Sequence, residues 1–165
     1  MALAICGEAV PAEKLAAANS KLFPNGTIWN AVQLPEIQAA IALNRNRPEE
    51  SVKLLESASP YERAFLEAVY LRGRAYLTMR RGAEAAAEFR KIADHKGINW
   101  ASDWDHPNWG QYYSLSYLGM ARGYALAGDS AKAKRAFQDF FALWKDADPD
   151  IPILRQARAE YAKQQ

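Results

Sequence analysis

Apolar residues recur along most of the chain at the three- and four-residue spacing of one face of an α-helix. Ala85, Phe89 and Ile92 show this spacing, and Ala133 and Phe137 begin the same pattern later in the chain. Sustained two-residue alternation, which would indicate strands, is nearly absent. The pattern therefore predicts an all-α protein.

Helix boundary signals divide this pattern into segments. The stretch Ser59-Pro60-Tyr61-Glu62 has the form of a capping box, while Gly128 and Asp129 suit the end of one helix and the start of the next. Asp150 suits the start of the last helix, and Pro35 predicts a kink or break. The expected helices are 10–22, 28–44, 48–57, 60–80, 83–94, 108–127, 130–145 and 150–163.

Two segments, 73–89 and 121–137, match in residue type along nearly their whole length. The aligned pairs are Gly73 with Ala121, Tyr76 with Tyr124, Ala85 with Ala133, and Phe89 with Phe137. A small residue, an aromatic three positions later, a turn, and then Ala and an aromatic four apart resemble the tetratricopeptide repeat. The resemblance implies a right-handed superhelix of antiparallel helix pairs, with about seven or eight helices plus a C-terminal capping helix.

Weaker copies extend the repeat toward the N-terminus. In the copy at 39–55 the turn residue Asn46 lies 34 residues before Arg80, the usual length of this repeat. Arg80 lies 48 residues before Gly128, so about 14 residues are inserted there. A partial copy at 3–16, with its turn at Gly7, predicts that the chain begins inside a repeat, as an excised fragment or a continuation of earlier repeats.

A single domain over 1–165 follows from this alignment. Its predicted parts are a partial repeat 1–24, repeats 27–58 and 60–96, an inserted Trp-rich loop 97–108, a repeat 109–146 and a capping helix 150–163. Three stretches, 40–62, 70–97 and 124–164, also resemble the C-terminal tails of bacterial, notably acidobacterial, regulators. Such tails follow a serine/threonine kinase domain or a winged-helix domain, so the resemblance implies a sensing or recruiting tail whose compartment stays open.

Charge and composition exclude several functions. Lys and Arg number 21 against 19 Asp and Glu, and the two signs alternate, so nucleic acid is not expected as a partner. The basic stretch from Arg72 to Lys91, interleaved with Glu84 and Glu88, is interpreted as a solvated face. No apolar run approaches the ~20 residues of a membrane span, so no membrane contact is expected. The single Cys6 excludes an internal disulfide and is expected to be at least half-buried.

Catalytic motifs are absent. No phosphate-binding glycine loop occurs, and no kinase motif is present. The residues of a possible zinc or manganese site are Asp94, His95, Asp103, Asp105 and His106. A helix N-cap at Asp105 and the C-terminal dipole of a helix at His95 explain these residues better than a metal does. Neither a metal nor any other cofactor is therefore expected, and a metal-dependent hydrolase is a remote alternative.

The inserted loop is unusually aromatic for a loop in water. Trp100, Trp104 and Trp109 fall within ten residues, beside Tyr112 and Tyr113. Either the loop packs on a neighbouring helix pair, or it presents aromatic anchors to a ligand. We expect it to be ordered, with at least one Trp against the helix at 60–80 or at 108–127.

A concave wall is the other candidate site that the resemblance implies. The first helix of each pair would line it, and the inward positions include Gln33, Glu36, Glu67, Tyr70, Arg74, Leu118 and Arg122. Arg74 and Arg122 share a repeat position, so both guanidinium groups are placed to bind one acidic group. Alternatively, each pairs with a local carboxylate such as Glu67, or stays solvated.

The sequence thus predicts a non-catalytic scaffold that holds a protein or peptide partner in this groove. Self-association through the open ends of the repeat stack is the alternative, because a truncated first repeat exposes an apolar face.

Overall fold

The computed structural model describes residues 1–95 and 109–164, the side chain of Trp109 excepted. Within these residues every regular element is a helix and none is a strand, which confirms the all-α class. The α-helices are α1 (Ala2–Ile5), α2 (Ala9–Leu22), α3 (Leu34–Asn44), α4 (Pro48–Leu54), α5 (Leu66–Thr78), α6 (Gly82–Asp94), α7 (Trp109–Leu126), α8 (Ser130–Leu143) and α9 (Pro152–Ala162). A π-helical turn (Trp29–Gln33) precedes α3, and a 3-10 helix (Leu55–Tyr61) follows α4. None of the described helices is both long and apolar enough to cross a membrane.

Four turns have the same backbone geometry. Gly7, Asn46, Arg80 and Gly128, the four turn positions of the sequence alignment, all have a positive φ, between 55° and 91°. In each turn the N–H of the following residue donates to the carbonyl five residues earlier, at 2.9 Å. This bond belongs to the Schellman motif, which ends a helix by satisfying its last carbonyl groups. The described backbone therefore repeats at the positions where the sequence alignment places the turns.

The fifth residue after each turn is small and buried. Ala12, Ser51, Ala85 and Ala133 occupy this position and are between 0% and 4% exposed. A small side chain at this point lets the second helix of a pair lie close to its neighbours. The alignment had assigned the same position to Ala or Ser.

Consecutive helices pack tightly where glycine allows it. Phe89 of α6 lies between α5 and α7, since a Cβ on Gly73 would be 2.8 Å from its ring and one on Gly119 would be 2.5 Å away. A Cβ on Gly82, at the start of α6, would lie 2.5 Å from the carbonyl of Gly123, near the end of α7. These contacts show that α6 and α7 run antiparallel. The first helices α3, α5 and α7 also contact one another in that order.

Pro35 produces the predicted irregularity as the π-helical turn. The N–H of Leu34 donates to the carbonyl of Trp29, five residues earlier. Pro35 has no N–H for the carbonyl of Ala31, and the hydroxyl of Ser57 donates to that carbonyl instead, at 2.9 Å.

Two predicted helix starts were wrong. The helix expected at 60–80 begins at Leu66, and Ser59 to Tyr61 belong to the 3-10 helix. Glu62 pairs with Arg72 and Lys91 rather than closing a capping box. The cap of α9 is Ile151 instead of Asp150. The Asp129 cap of α8 is confirmed, because its side chain accepts from the N–H of Lys132 at 3.1 Å.

The prediction of a solvated basic face was also wrong for its first residue, Arg72. Arg72 is only 7% exposed and binds the carboxylates of Glu88, at 2.7 Å, and Glu62. Burial by itself lowers the pKa of Arg72, but the bonds to these two carboxylates outweigh it and raise the pKa overall. Lys91 joins the cluster at 2.9 Å from Glu88. Cys6, expected to be at least half-buried, is exposed.

Candidate functional site

Two neighbouring cavities contain all seven residues predicted to line the groove. The acidic cavity, of about 230 Å³, is lined by Trp29, Gln33, Glu36, Phe65, Glu67 and Tyr112, among others. The arginine cavity, of about 180 Å³, is lined by Tyr70, Arg74, Leu115, Leu118, Gly119 and Arg122, among others. The predicted residues of both cavities come from the π-helical turn and from α3, α5 and α7.

A pair of tyrosine rings separates the cavities. Tyr70 of the arginine cavity and Tyr112 of the acidic cavity have ring centroids 4.9 Å apart. Burial raises the pKa of Tyr70, while the nearby charges of Arg74 and Arg122 oppose this rise. Burial also raises the pKa of Tyr112, and the carboxylates of Glu67 and Glu36 add to that rise. The tyrosine pair thus stands between a positive and a negative region.

The two arginines of the arginine cavity are in different states. The Nε and Nη2 atoms of Arg122 bind the two carboxylate oxygens of Glu160 in α9, at 2.8 and 3.0 Å. The guanidinium group of Arg74 makes no hydrogen bond or ion pair with any described residue, although its backbone carbonyl accepts from the hydroxyl of Thr78 at 3.1 Å. The predicted joint grip of both arginines on one ligand group therefore requires displacement of Glu160. While Glu160 is in place, Arg74 alone is available.

The acidic cavity contains an unusual carboxyl group. Glu36 is only 4% exposed, and its Oε1 atom has no hydrogen-bond partner among the described residues. Burial, and then the charge of Glu67, raise the pKa of Glu36 to about 8. The N–H of Ala68, in the first turn of α5, and the α-ammonium of Met1 act in the opposite direction. At neutral pH the empty cavity thus holds Glu36 mainly in its protonated form.

Sequence reasoning missed several walls of these cavities. Trp29 precedes Gln33 and Glu36 by four and seven residues, so its helical spacing was a usable signal. Tyr112 was considered only as a neighbour of the Trp-rich loop. Glu160 gave no signal, because it lies 38 residues from Arg122 and meets it only through packing.

Other predicted candidates fall partly outside the described residues. The loop 97–108, with Trp100, Trp104, Asp103, Asp105 and His106, lies there entirely, as does the side chain of Trp109. Of the possible metal ligands, Asp94 and His95 are described, and a ring nitrogen of His95 lies 2.5 Å from the carbonyl of Lys91. No three His, Cys, Asp or Glu within residues 1–95 and 109–164 are grouped to hold a metal ion.

Comparison of the chain with family models, with curated proteins and with solved structures finds no match.

Proposed function

We propose that this chain is a non-catalytic scaffold that holds a peptide segment of a partner protein along the wall formed by α3, α5 and α7. The observation that carries the proposal is the grouping of all seven groove residues in two neighbouring cavities. The helix pairs would continue as a right-handed superhelix, with α9 as the capping helix. By its resemblance to bacterial regulator tails, the scaffold would recruit partners or sense ligands for a larger signalling protein.

The charges of the two cavities define how a peptide would lie. Arg74 offers a guanidinium group beside the flat ring of Tyr70, which suits an acidic side chain or a free C-terminus. The carboxylate of Glu160 already binds the guanidinium group of Arg122, as a carboxylate of the peptide would. A peptide carboxylate would therefore bind Arg74 first and would compete with Glu160 for Arg122.

Peptide selection tests the proposal. Peptides selected from a random library against the whole chain would be measured by fluorescence anisotropy against the wild type, Arg74→Ala and Arg155→Ala. Arg155 is the matched control, because it is exposed on α9. We expect Arg74→Ala to weaken binding about tenfold and Arg155→Ala to leave it unchanged, since one charge-assisted hydrogen bond contributes roughly that much. Failure to select any peptide, or equal binding by both variants, would refute the proposal.

Self-association is a second candidate, and α2 favours it. Val10, Leu15, Leu22 and Phe23 are between 55% and 74% exposed at this end of the stack. Stacking two such ends would remove this apolar surface from water. Light scattering over a range of concentrations would show a dimer that Leu15→Glu dissociates. A mass that stays monomeric at every concentration would rule this candidate out.

A further inference from the structure

The acidic cavity is large enough for one long side chain, and three aromatic residues form part of its wall. Trp29, Phe65 and Tyr112 line it beside the two carboxyl groups, and Trp29 and Tyr112 are each less than 10% exposed. A lysine side chain has five non-hydrogen atoms beyond Cα, and if each needs about the ~30 Å³ of one water molecule, the side chain requires about 150 Å³. The cavity volume of about 230 Å³ accommodates such a side chain.

Glu36 is the reason to assign a ligand to this cavity. Its Oε1 atom is buried, and no residue in the described part of the chain forms a hydrogen bond with it. Burying an oxygen in this way costs free energy unless a donor binds to it. The N–H of Ala68, at the start of α5, donates to the carboxyl group of Glu36. This one bond uses only part of the hydrogen-bonding capacity of the carboxyl group. A donor entering the cavity would satisfy the remaining oxygen.

We propose that the acidic cavity binds the ammonium group of a lysine side chain, presented by the peptide that the proposed function places on this wall. The ammonium group would donate to Oε1 of Glu36, and the charge of Glu67 would add to the attraction. The four methylene groups would lie against the aromatic walls, whose ring faces also attract a cation. The proposal rests on the proposed function only for the source of the lysine.

Binding would change the ionisation of Glu36. The protonated carboxyl group must lose its proton before it pairs with an ammonium group, so affinity rises with pH until Glu36 is ionised in the empty cavity. Among the described residues, the other titratable groups that line the cavity are Glu67, the phenol of Tyr112 and the α-ammonium of Met1, whose pKa burial lowers. A Glu36→Gln variant separates the contribution of Glu36 from theirs.

The first experiment compares two peptides that differ only in charge. The probes are acetyl-Ala-Ala-Lys-Ala-Ala-amide and the same peptide with norleucine, which keeps the methylene chain and lacks the ammonium group. Binding to the whole chain is followed by NMR titration at pH 8. We expect the lysine peptide to bind at least about tenfold more tightly. Equal affinities would overturn the proposal.

The second experiment compares two variants of the chain. Glu36→Gln keeps an acceptor for Ala68 but cannot ionise, while Glu49→Gln makes the same change at an exposed site of α4. We expect Glu36→Gln alone to lose the lysine preference, together with most of the increase in affinity between pH 6.5 and 8.5. A lysine preference that survives Glu36→Gln would assign Glu36 a purely structural role and overturn the proposal.

A third probe, n-butylammonium, tests the source of the ammonium group. We expect it to bind more weakly than the lysine peptide, because it lacks the backbone that would contact the wall. Tighter binding of n-butylammonium would overturn the peptide source and assign the cavity to a free amine. Selected peptides that need Arg74 but ignore Glu36 would refute the lysine site and leave the scaffold proposal standing. If the lysine probe binds but no peptide requires Arg74, the scaffold proposal is refuted and the lysine site stands.

Discussion

Arg122 in α7 and Glu160 in α9 form a two-bond ion pair with N–O distances of 2.8 and 3.0 Å. Both side chains are just over one-quarter exposed, so solvent screens the pair in part. The bond joins the C-terminal helix to one of the helices that carry the proposed peptide wall. It also neutralises one of the two arginines of the arginine cavity.

Removing this carboxylate is expected to weaken the fold slightly and to strengthen peptide binding. Glu160→Gln should lower the free energy of unfolding by about 1 kcal/mol or less, as is usual for a partly exposed pair. The freed Arg122 should raise the affinity for Arg74-dependent peptides several-fold. Urea unfolding and fluorescence anisotropy measure the two effects, with Glu56→Gln at an exposed site as control. Weaker peptide binding by Glu160→Gln would contradict the proposed competition.

Gly119 is expected to tolerate no side chain. A Cβ on it would lie 2.5 Å from the ring of Phe89, whereas a Cβ on Gly110 of the same helix meets no described atom within 4 Å. Gly119→Ala should therefore destabilise the protein by about 1–3 kcal/mol. Gly110→Ala should be neutral or stabilise by up to about 1 kcal/mol, because alanine favours helix. Urea unfolding curves that coincide for the two variants would show that Phe89 does not pack on α7.

Ala85 in α6 and Ala133 in α8 are buried, and a larger side chain at either position should destabilise the protein. Ala85→Leu and Ala133→Leu place a branched side chain where the native residue is fully buried, and each should cost about 1–3 kcal/mol. Ala87→Leu makes the same change on the exposed face of α6 and should have little effect. Thermal unfolding provides the comparison. Unchanged melting temperatures for both buried variants would contradict the repeat register.

Glu36→Gln should stabilise the protein increasingly as the pH rises. The folded-state pKa of about 8 lies above the ordinary value of 4.5, so the folded chain holds a proton that the unfolded chain has released between these values. The wild type therefore loses stability as the pH increases through 8, and glutamine does not titrate. The stability gained by the variant should grow by roughly 4 kcal/mol from pH 4.5 to pH 9, since each pKa unit corresponds to about 1.4 kcal/mol. Equal pH profiles for wild type and variant in urea unfolding would show that Glu36 is not buried as a carboxyl group.

Local signals specified most of the helical segments. The 3.6-residue spacing of apolar residues predicted each long helix, because one face must leave water whatever surface it meets. The turns at Gly7, Asn46, Arg80 and Gly128 were recognised by alignment, although Arg80 has no intrinsic preference for a positive φ. Their shared hydrogen bonds lie within a few residues, so local sequence defines them.

Local sequence signals predicted the wrong structure where a side chain bound a group distant in the sequence instead of its neighbours. Ser59 to Glu62 has the form of a capping box, but Glu62 binds the buried guanidinium of Arg72 instead. Arg72 is buried and binds Glu62 as well as Glu88, so the carboxylate that a capping box would need is held in this ion-pair cluster. The same cluster buries a residue that charge patterning had assigned to the surface.

The sequence by itself determined the all-α class, most of the helical segments and their turns, because backbone hydrogen bonds and apolar periodicity act over a few residues. Only the tertiary structure decided that Glu160 neutralises Arg122, and that Tyr112 and Trp29 close a cavity around Glu36. These side chains are far apart in the chain and meet only when helices pack. These contacts set the charge and the burial of the side chains, and the charge and burial in turn set the chemistry of the candidate site.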